Sequence, residues 1–271
     1  MLKKIVFFLM ISVSLLTAHA KNLRLVSLSP AITESLIAVG AGDALVGVTD
    51  DSFKNSAIET IVEKIPIIGT FSNPDINKII PLHPDLVLTQ NYPGSFDVFN
   101  ETILTPLQNA GIPVLIMPGN HLRMIPLMLY RLGKLVGNTQ LGVKAANAWV
   151  TEIRDYQHKY PHGHPVLIAI RIHANPDWYV TNQSFVSEIF GICDGVNVLK
   201  DPNKSYINIS TADILTKKPN IIFDLTNSDP KDLKMKNAII YNLDPDIFLR
   251  YGPRTANAIG LACYKLNYLK K

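Results

Sequence analysis

The sequence predicts an α/β protein of two similarly built lobes joined by one long α-helix. The first observation is an internal near-repeat, in which residues 76–91 align with residues 211–226 at a constant offset of 135. Each copy is typical of a short helix, a proline and a strand, so two lobes of similar construction are expected. The second is a helical pattern after Gly137 of about 20 residues, which at ~1.5 Å each would span ~30 Å from one lobe to the other.

The elements follow from hydrophobic periodicity and turn residues taken along the chain. Strands are predicted at 24–28, 44–48, 85–89 and 112–117, with helical pattern at 31–39, 97–109 and 121–160. After the break at Gly137, the new helix is expected to bury Val143, Ala146, Trp149, Val150 and Ile153. The second lobe restarts with a strand at 166–172, a helix at 184–189, the second repeat copy, a strand at 238–241 and a helix from 254.

The first 20 residues are typical of a cleavable export signal. Lys3 and Lys4 precede an apolar stretch at 5–16, and Ala18-His19-Ala20 forms a small-x-small cleavage site. We therefore expect cleavage after Ala20 and a periplasmic protein without a lipid anchor, because no cysteine lies near that point. The expected domains are the signal at 1–20, an N-terminal lobe at 21–120, a helical bridge at 121–160 and a C-terminal lobe at 161–271.

Charge and motif content argue against several function classes. The chain has 26 basic and 22 acidic residues, and without Lys3 and Lys4 the mature chain carries only 24 against 22, so no nucleic-acid surface is expected. No serine nucleophile elbow, catalytic carboxylate pair or cysteine-histidine dyad can be assembled, which makes an enzyme the weaker class. His158, His162 and His164 are interpreted as a solvated loop, with a metal cluster as the alternative, and no resident cofactor or metal is expected.

Several phrases together resemble the class III periplasmic solute-binding proteins of ABC importers, and within them the cobalamin-binding group. The matching phrases are RLVSLSPAITE at 24–34, GAG at 40–42 with LVGV at 45–48, PDLVL at 84–88, GIPV at 111–114, SF at 184–185 with GVN at 195–197, and GPR at 252–254. The resemblance implies two Rossmann-like lobes on a helical backbone, acting as a monomer. It also implies a ligand cleft between the lobes and delivery of the ligand to an inner-membrane permease.

The chain contains two cysteines, Cys193 and Cys263. An exported chain with an even number of cysteines allows either a disulfide or two buried thiols. The resemblance implies the disulfide, because Cys193 and Cys263 fall where the cobalamin-binding relatives carry one.

Candidate ligand-binding residues follow the strand ends, where open α/β sheets bind their ligands. Ser29 and Thr33 could bind a polar ligand group or merely cap a helix. At the position of Gln90 the cobalamin-binding relatives carry an aromatic residue, which Tyr92 and Phe71 could replace, and Asp246 matches a ligand-contacting aspartate of those relatives. The full candidate set is Ser29, Pro30, Thr33, Phe71, Gln90, Tyr92, Arg171, His173, Trp178, Asp246, Arg250 and Tyr251.

The permease-docking positions depart from the family pattern. The resemblance implies one exposed glutamate on each lobe, but the matching positions hold Asn77 and Ala212, which correspond to each other under the 135 offset. Asp75 and Asp213 lie nearby and are the candidate substitutes, with ordinary solvated aspartates as the alternative.

Three functions therefore stand. The first is capture of cobalamin or a related corrinoid. The second is the same role for haem, with Tyr92 or His173 as axial ligand, or for a ferric siderophore held near Arg171 and Arg250. The third is a secreted metal-site enzyme using the histidines at 158–164.

Overall fold

A computed structural model describes residues 23–54, 58–91, 100–161, 163–228 and 239–268 of the chain. The chain divides into two compact units. Unit 1 takes the described residues of the ranges Met1–Asn91, Ser95–Pro118 and Pro126–Asn147. Unit 2 takes the described residues of the ranges Gly119–Ile125 and Ala148–Lys271. The described chain contains no helix that combines the length and the apolar character needed to cross a bilayer.

Unit 1 is built on a four-stranded parallel sheet. Its strands are β1 (Leu25–Ser27), β2 (Leu45–Val48), β3 (Leu86–Asn91) and β4 (Val114–Pro118), in the spatial order β2-β1-β3-β4. All neighbouring pairs run parallel, so their carboxyl ends lie at one edge of the sheet. Three of the predicted ligand-binding residues, Ser29, Pro30 and Gln90, lie at this edge.

Short helices cover this sheet. They are α1 (Pro30–Ala38), α2 (Glu59–Val62), α3 (Ile76–Ile79) and α4 (Thr105–Asn109), with a π-helical turn at Asn100–Leu104 and 3-10 turns at Gly42–Ala44, Asp50–Lys54 and Ile80–Leu82. The buried core draws on several of these elements, with Val26 and Val87 from the sheet and Ile79 and Leu107 from the helices. Segment 97–109, predicted as one amphipathic element, is a π-helical turn followed by α4 from residue 100 onward.

The predicted helical stretch at 121–160 is a 3-10 turn, Leu122–Met124, and two helices, α5 (Ile125–Leu135) and α6 (Thr139–Lys159). Gly137, at φ +76°, lies between the helices as expected, because glycine tolerates this left-handed conformation. Helix α6 has 21 residues; it begins in the part of the chain that belongs to unit 1 and ends in unit 2. The predicted bridging helix is therefore present.

The predicted core face of α6 was partly wrong. Ala146, Trp149 and Ile153 are buried as expected, but Val143 is 42% exposed and Val150 is 38% exposed. The physical reason is a backbone contact with α5, where a Cβ added at Gly133 would lie 2.6 Å from the Cα of Gly142. This close approach turns the stripe that starts at residue 142 inward, and hydrophobicity alone could not reveal it.

Unit 2 contains a mixed sheet. Its strands are β5 (Val166–Ala174), β6 (Asp177–Val180), β7 (Gly195–Asn197), β8 (Tyr206–Asn208), β9 (Ile221–Asp224) and β10 (Ile239–Asn242), in the order β10-β9-β5-β6-β8, with β7 also paired to β5. Strand β5 pairs in parallel with β7 and β9, and β9 pairs in parallel with β10, whereas β6 is antiparallel to both of its neighbours, β5 and β8. Strand β6 was not predicted from the sequence, although the turn signal Asn175-Pro176 separates it from β5.

Four helices of unit 2 are described: α7 (Phe185–Gly191), α8 (Thr211–Thr216), α9 (Pro245–Phe248) and α10 (Thr255–Tyr268). Phe190 of α7 stacks on Phe223 of β9 with ring centroids 4.3 Å apart, and on Phe248 of α9 at 5.4 Å. Cys193, just after α7, forms a disulfide with Cys263 of α10, as the resemblance implied. Aromatic packing and a covalent bond thus hold three helices of this unit to its sheet.

The internal repeat is confirmed at the level of the backbone. Helices α3 and α8 and strands β3 and β9 occupy the two copies in the predicted order. Asp75 and Ser210, 135 residues apart, are both N-cap residues whose side chains accept a backbone N–H. His83 and Lys218, also 135 apart, both adopt positive φ, at 45° and 52°. Two units therefore share the same helix start, helix stop and following strand.

Candidate functional site

A buried cluster of hydroxyl groups lies at the carboxyl end of β1. The Ser29 Oγ donates to Gln90 Oε1 at 3.0 Å, and the Thr33 Oγ1 donates to Ser27 Oγ at 2.9 Å. Ser52 Oγ donates to Thr33 at 3.2 Å, which ties the segment after β2 to the same cluster. These five side chains are all buried. These side chains therefore hydrogen-bond to one another and hold the loops at this edge in place.

This cluster excludes one of the two roles considered for Ser29. Ser29 occupies the N-cap position of α1 and Pro30 the first helical position, but the Ser29 side chain makes no capping hydrogen bond. The capping interpretation is therefore wrong for its side chain, because the hydroxyl is used by Gln90 instead. Thr33, inside α1, donates to Ser27 and to the Ser29 carbonyl oxygen.

Gln90 and Phe71 are two further candidates in unit 1. Gln90 Nε2 lies 3.9 Å from the Met128 sulfur, so both ends of this amide contact unit 1. Phe71 is half-buried, and its backbone N–H donates to Asp51 Oδ2 at 3.4 Å. Tyr92 lies outside the described residues.

The centre of unit 2 is a charge network around Arg171, at the carboxyl end of β5. Arg171 donates to Asp177 Oδ1 from Nε at 2.9 Å and from Nη2 at 2.6 Å, and to Asp224 Oδ2 from Nη1 at 3.2 Å. The side chains of Arg171 and Asp224 are only 5% and 1% exposed. Thr211 Oγ1 donates to Asp177 Oδ2 at 2.8 Å and contacts the Tyr179 hydroxyl. The Arg171 guanidinium therefore makes its hydrogen bonds to partners within unit 2.

This network shifts the pKa of Asp177. Burial by itself raises that pKa, but hydrogen bonds from Arg171 and Thr211 and the nearby positive charge outweigh burial, so the pKa lies below its ordinary value. Burial by itself lowers the pKa of the Arg171 guanidinium. The hydrogen bond to Asp177 and the negative charge of that carboxylate outweigh burial, so the pKa of Arg171 is raised. Burial also raises the pKa of Tyr179, although its hydrogen bond with Thr211 opposes the shift.

The lowered pKa of Asp177 predicts how stability depends on pH. A carboxyl with a lower pKa in the folded than in the unfolded state stabilises the fold above its unfolded value of about 3.9, and this contribution is lost as the pH falls through the folded pKa. We expect the free energy of urea unfolding to decrease as the pH is lowered below about 4. This decrease should be steepest in the wild-type protein, intermediate in Thr211→Val and least steep in Asp177→Asn. Parallel curves for all three proteins would contradict this assignment.

An aromatic surface lies on the opposite side of β6 from Tyr179. We call His173, Trp178 and Tyr206 the β6 aromatic face. His173 pairs directly with Trp178 across β5 and β6, and directly opposed residues point to the same face of a sheet. Tyr206 of β8 contacts Trp178 edge-on, with ring centroids 6.0 Å apart. His173 is exposed and both aromatic rings are half-buried, so this face can meet a flat apolar ligand.

A further group follows β10. Asp244 begins α9 by accepting the backbone N–H of Asp246, and Asp246 Oδ1 accepts from Arg250 Nη2 at 3.0 Å. Arg250 is buried and Asp246 is half-buried. The hydroxyl of buried Tyr251 donates to the His121 carbonyl oxygen, and its ring contacts Phe185 edge-on at 5.2 Å. Asp246 is thus positioned by α9 and by its arginine.

The docking candidates lie at the starts of α3 and α8. Asp75 Oδ1 accepts from the Asn77 backbone N–H at 3.0 Å, and Asp213 exchanges hydrogen bonds with Ser210. Asn77, Ala212 and Asp213 are exposed, and Asp75 is half-buried. Both aspartates therefore stabilise helix starts through their hydrogen bonds.

The histidine cluster at 158–164 stands apart from these groups. His158 lies at the end of α6 and His164 is exposed, whereas His162 falls outside the described residues. Across the part of the chain that the structure describes, no group of three histidine, cysteine or acidic side chains could hold a metal ion.

Sequence reasoning missed three residues that shape the candidate site: Asp177, Asp224 and Tyr206. Asp224 ends the strand of the second repeat copy, where the carboxyl-end rule that selected Gln90 would also have selected it. The pairing of Asp177 with Arg171 depends on the undetected strand β6. Tyr206 lies on a three-residue strand, too short to give a periodic signal.

Comparisons with known proteins agree with this architecture. The periplasmic binding protein family matches residues 25–242. The vitamin B12-binding protein of Vibrio cholerae is 26% identical over 275 residues, covering 97% of this chain and 96% of the relative. Among solved structures, the periplasmic vitamin B12 binding protein of Vibrio cholerae has a TM-score of 0.77 at 24% identity, covering 93% of this chain and 99% of that one. The periplasmic heme binding protein of the same species has a TM-score of 0.72 at 18% identity, covering 92% and 98%. The chain belongs to the periplasmic binding protein family.

Proposed function

We propose that this protein captures cobalamin or a related corrinoid in the periplasm and delivers it to an ABC permease. The observation that carries this proposal is the full-length match to proteins named vitamin B12-binding proteins. Such a protein binds its ligand without transforming it, so the corrinoid is cargo and not a cofactor, and no enzymatic activity is expected.

The chemistry of the strand ends supports this cargo. A corrin ring has apolar faces and a rim of amides, so it needs aromatic planes together with hydrogen-bonding groups. We propose that the partly exposed residues Phe71, His173, Trp178 and Asp246 contact the ligand, together with Tyr92. The other candidates are buried, and we propose that they shape the strand ends within their own units; they are Ser29, Pro30, Thr33, Gln90, Arg171, Arg250 and Tyr251.

Haem is the second candidate, because His173 offers an exposed imidazole beside an aromatic ring. A ferric siderophore has less support. An anionic chelate needs accessible positive charge, whereas Arg171 and Arg250 are both buried and each pairs with an aspartate. The metal-site enzyme has the least support, since within the described residues His158 and His164 belong to no group of three histidine, cysteine or acidic side chains that could hold a metal ion.

Export and docking complete the proposal. We propose cleavage after Ala20, which follows the small-x-small motif. We further propose that the exposed starts of α3 and α8 contact the permease through Asp75, Asn77, Ala212 and Asp213. Because two of these positions lack the expected glutamates, docking would depend less on ion pairs than in the relatives.

The test is calorimetric titration of the exported protein, purified from a periplasmic extract, with cyanocobalamin, cobinamide and haemin in parallel. We expect saturable binding of at least one corrinoid, in preference to haemin. Trp178→Ala should weaken corrinoid binding about 30-fold, since loss of a central aromatic contact typically costs about 2 kcal/mol. The control is Tyr268→Ala, which removes an aromatic ring that is 66% exposed near the end of α10.

Two results would contradict the proposal. Tight haemin binding with no corrinoid binding would move the cargo to haem and leave the transport role intact. Equal loss of affinity in Trp178→Ala and Tyr268→Ala would show that the β6 aromatic face is not where the ligand binds.

A further inference from the structure

The imidazole of His173 is held in one orientation by its own turn. Nδ1 lies 2.8 Å from the Pro176 carbonyl oxygen and 3.3 Å from the Asn175 backbone nitrogen. One ring nitrogen cannot donate to the first and accept from the second. The shorter contact decides, because a carbonyl oxygen at 2.8 Å repels a bare nitrogen lone pair and attracts an N–H. Nδ1 therefore carries the proton, and in the neutral ring the lone pair is on Nε2.

This arrangement is the one that metal-binding histidines adopt. A ligating histidine usually donates its other ring N–H to a carbonyl or carboxylate oxygen, which sets the tautomer and the direction of the ring. His173 is exposed, and within the described residues Nε2 makes no hydrogen bond. The ring can therefore bind a metal through Nε2 without breaking an internal contact.

The neighbours of His173 indicate what kind of metal compound fits. Trp178 lies directly across the strand pair on the same face, and Tyr206 extends the aromatic surface beyond it. A hydrated metal ion gains nothing from this apolar surface, and the described residues offer no group of three histidine, cysteine or acidic side chains that could hold one. A flat organic ring with a metal at its centre can use both features at once, with the ring against Trp178 and the metal on Nε2.

We propose that His173 Nε2 is an axial ligand to the cobalt of the captured corrinoid, so that the protein prefers a base-free corrinoid with an exchangeable axial water. This inference rests on the proposed function and sharpens its substrate class. The step is a ligand exchange, in which the imidazole lone pair forms a bond to cobalt and one water leaves. The oxidation state of cobalt does not change, and no proton is transferred. A corrinoid with both axial positions blocked binds only through its faces and rim.

His121 has a similar arrangement and serves as an internal comparison. Its Nδ1 lies 2.6 Å from Glu188 Oε1, while Glu188 Oε2 accepts the Leu122 backbone N–H at 2.8 Å. The His121 carbonyl oxygen also accepts from Tyr251. These contacts tie the start of the helical segment after β4 to α7 and to Tyr251, whereas the contacts of His173 stay within its own turn.

The experiment compares diaquocobinamide, with exchangeable axial waters, and dicyanocobinamide, with both positions blocked. We expect the wild-type protein to shift the visible spectrum of diaquocobinamide as nitrogen replaces oxygen on cobalt. His173→Asn should abolish this shift and weaken diaquocobinamide binding at least tenfold, whereas dicyanocobinamide, which cannot bind the imidazole through cobalt, should lose much less affinity. The control is His83→Asn, which removes another exposed histidine and places asparagine, a residue that tolerates positive φ, at φ 45°.

Each other outcome overturns the inference. If corrinoids bind but neither the spectrum nor the preference depends on His173, the axial ligand is wrong and the proposed function stands. If the shift disappears in His121→Asn and persists in His173→Asn, the ligand is His121. If no corrinoid binds at all, the proposed function fails and the inference fails with it.

Discussion

Arg171→Met is expected to destabilise unit 2 by about 3–5 kcal/mol, because it leaves the Asp224 carboxylate buried without its positive partner. Asp224 is 1% exposed and would retain, among the described residues, the Thr226 backbone N–H at 3.0 Å and the Ser228 hydroxyl at 3.4 Å. Asp177 suffers less, since its side chain is 22% exposed and water can replace the lost donors. The measurement is the free energy of urea unfolding at pH 7, followed by near-ultraviolet circular dichroism.

The matched control removes both charges. A buried ion pair replaced by apolar residues of similar volume is often as stable as the original, so Arg171→Met/Asp224→Leu should regain most of the lost stability. A double variant no more stable than Arg171→Met would show that the guanidinium contributes through its hydrogen bonds and packing, and not by neutralising Asp224.

The disulfide between Cys193 and Cys263 carries the second large effect. It closes a loop with a sequence separation of 70, and chain entropy predicts that its removal costs about 4 kcal/mol. Both half-cystines are buried in unit 2. We expect Cys193→Ala/Cys263→Ala to unfold at correspondingly lower urea concentration.

Reduction provides the control for this prediction. Dithiothreitol should destabilise the wild-type protein by a similar amount and leave the double alanine variant unchanged. A wild-type unfolding curve that does not respond to complete reduction, verified by thiol titration, would contradict the entropic contribution.

The fold could be predicted to the extent that local patterns determine it. The repeat offset located two short helices and two following strands, because caps, prolines and apolar periodicity act over a few positions. The break at Gly137 was equally local. The core face of α6 was not, since Gly142 packs backbone against backbone on α5 and leaves Val143 exposed.

The candidate site was predicted less completely than the fold. Arg171 and Trp178 were selected by their position near a strand end, but Arg171 was expected to face a ligand and the structure surrounds it with Asp177 and Asp224. Its partners lie 6 and 53 residues away in the chain, and the strand that brings the nearer one back was not detected. Arg171 meets these two aspartates because β6 and β9 are the neighbours of β5 in the sheet, and that order is a property of the tertiary structure.

The sequence by itself determined the two-lobed α/β architecture, the bridging helix and the family, because periodicity, turn residues and ordered motifs are properties of neighbouring positions. Only the tertiary structure decided which polar groups hydrogen-bond within the protein and which can still bind a ligand. Gln90, Arg171 and Arg250 are committed to internal partners, whereas His173 presents one ring nitrogen beside Trp178. The physical reason is that burial and strand register assign partners to charges and hydroxyls across distant segments, and no local pattern contains that information.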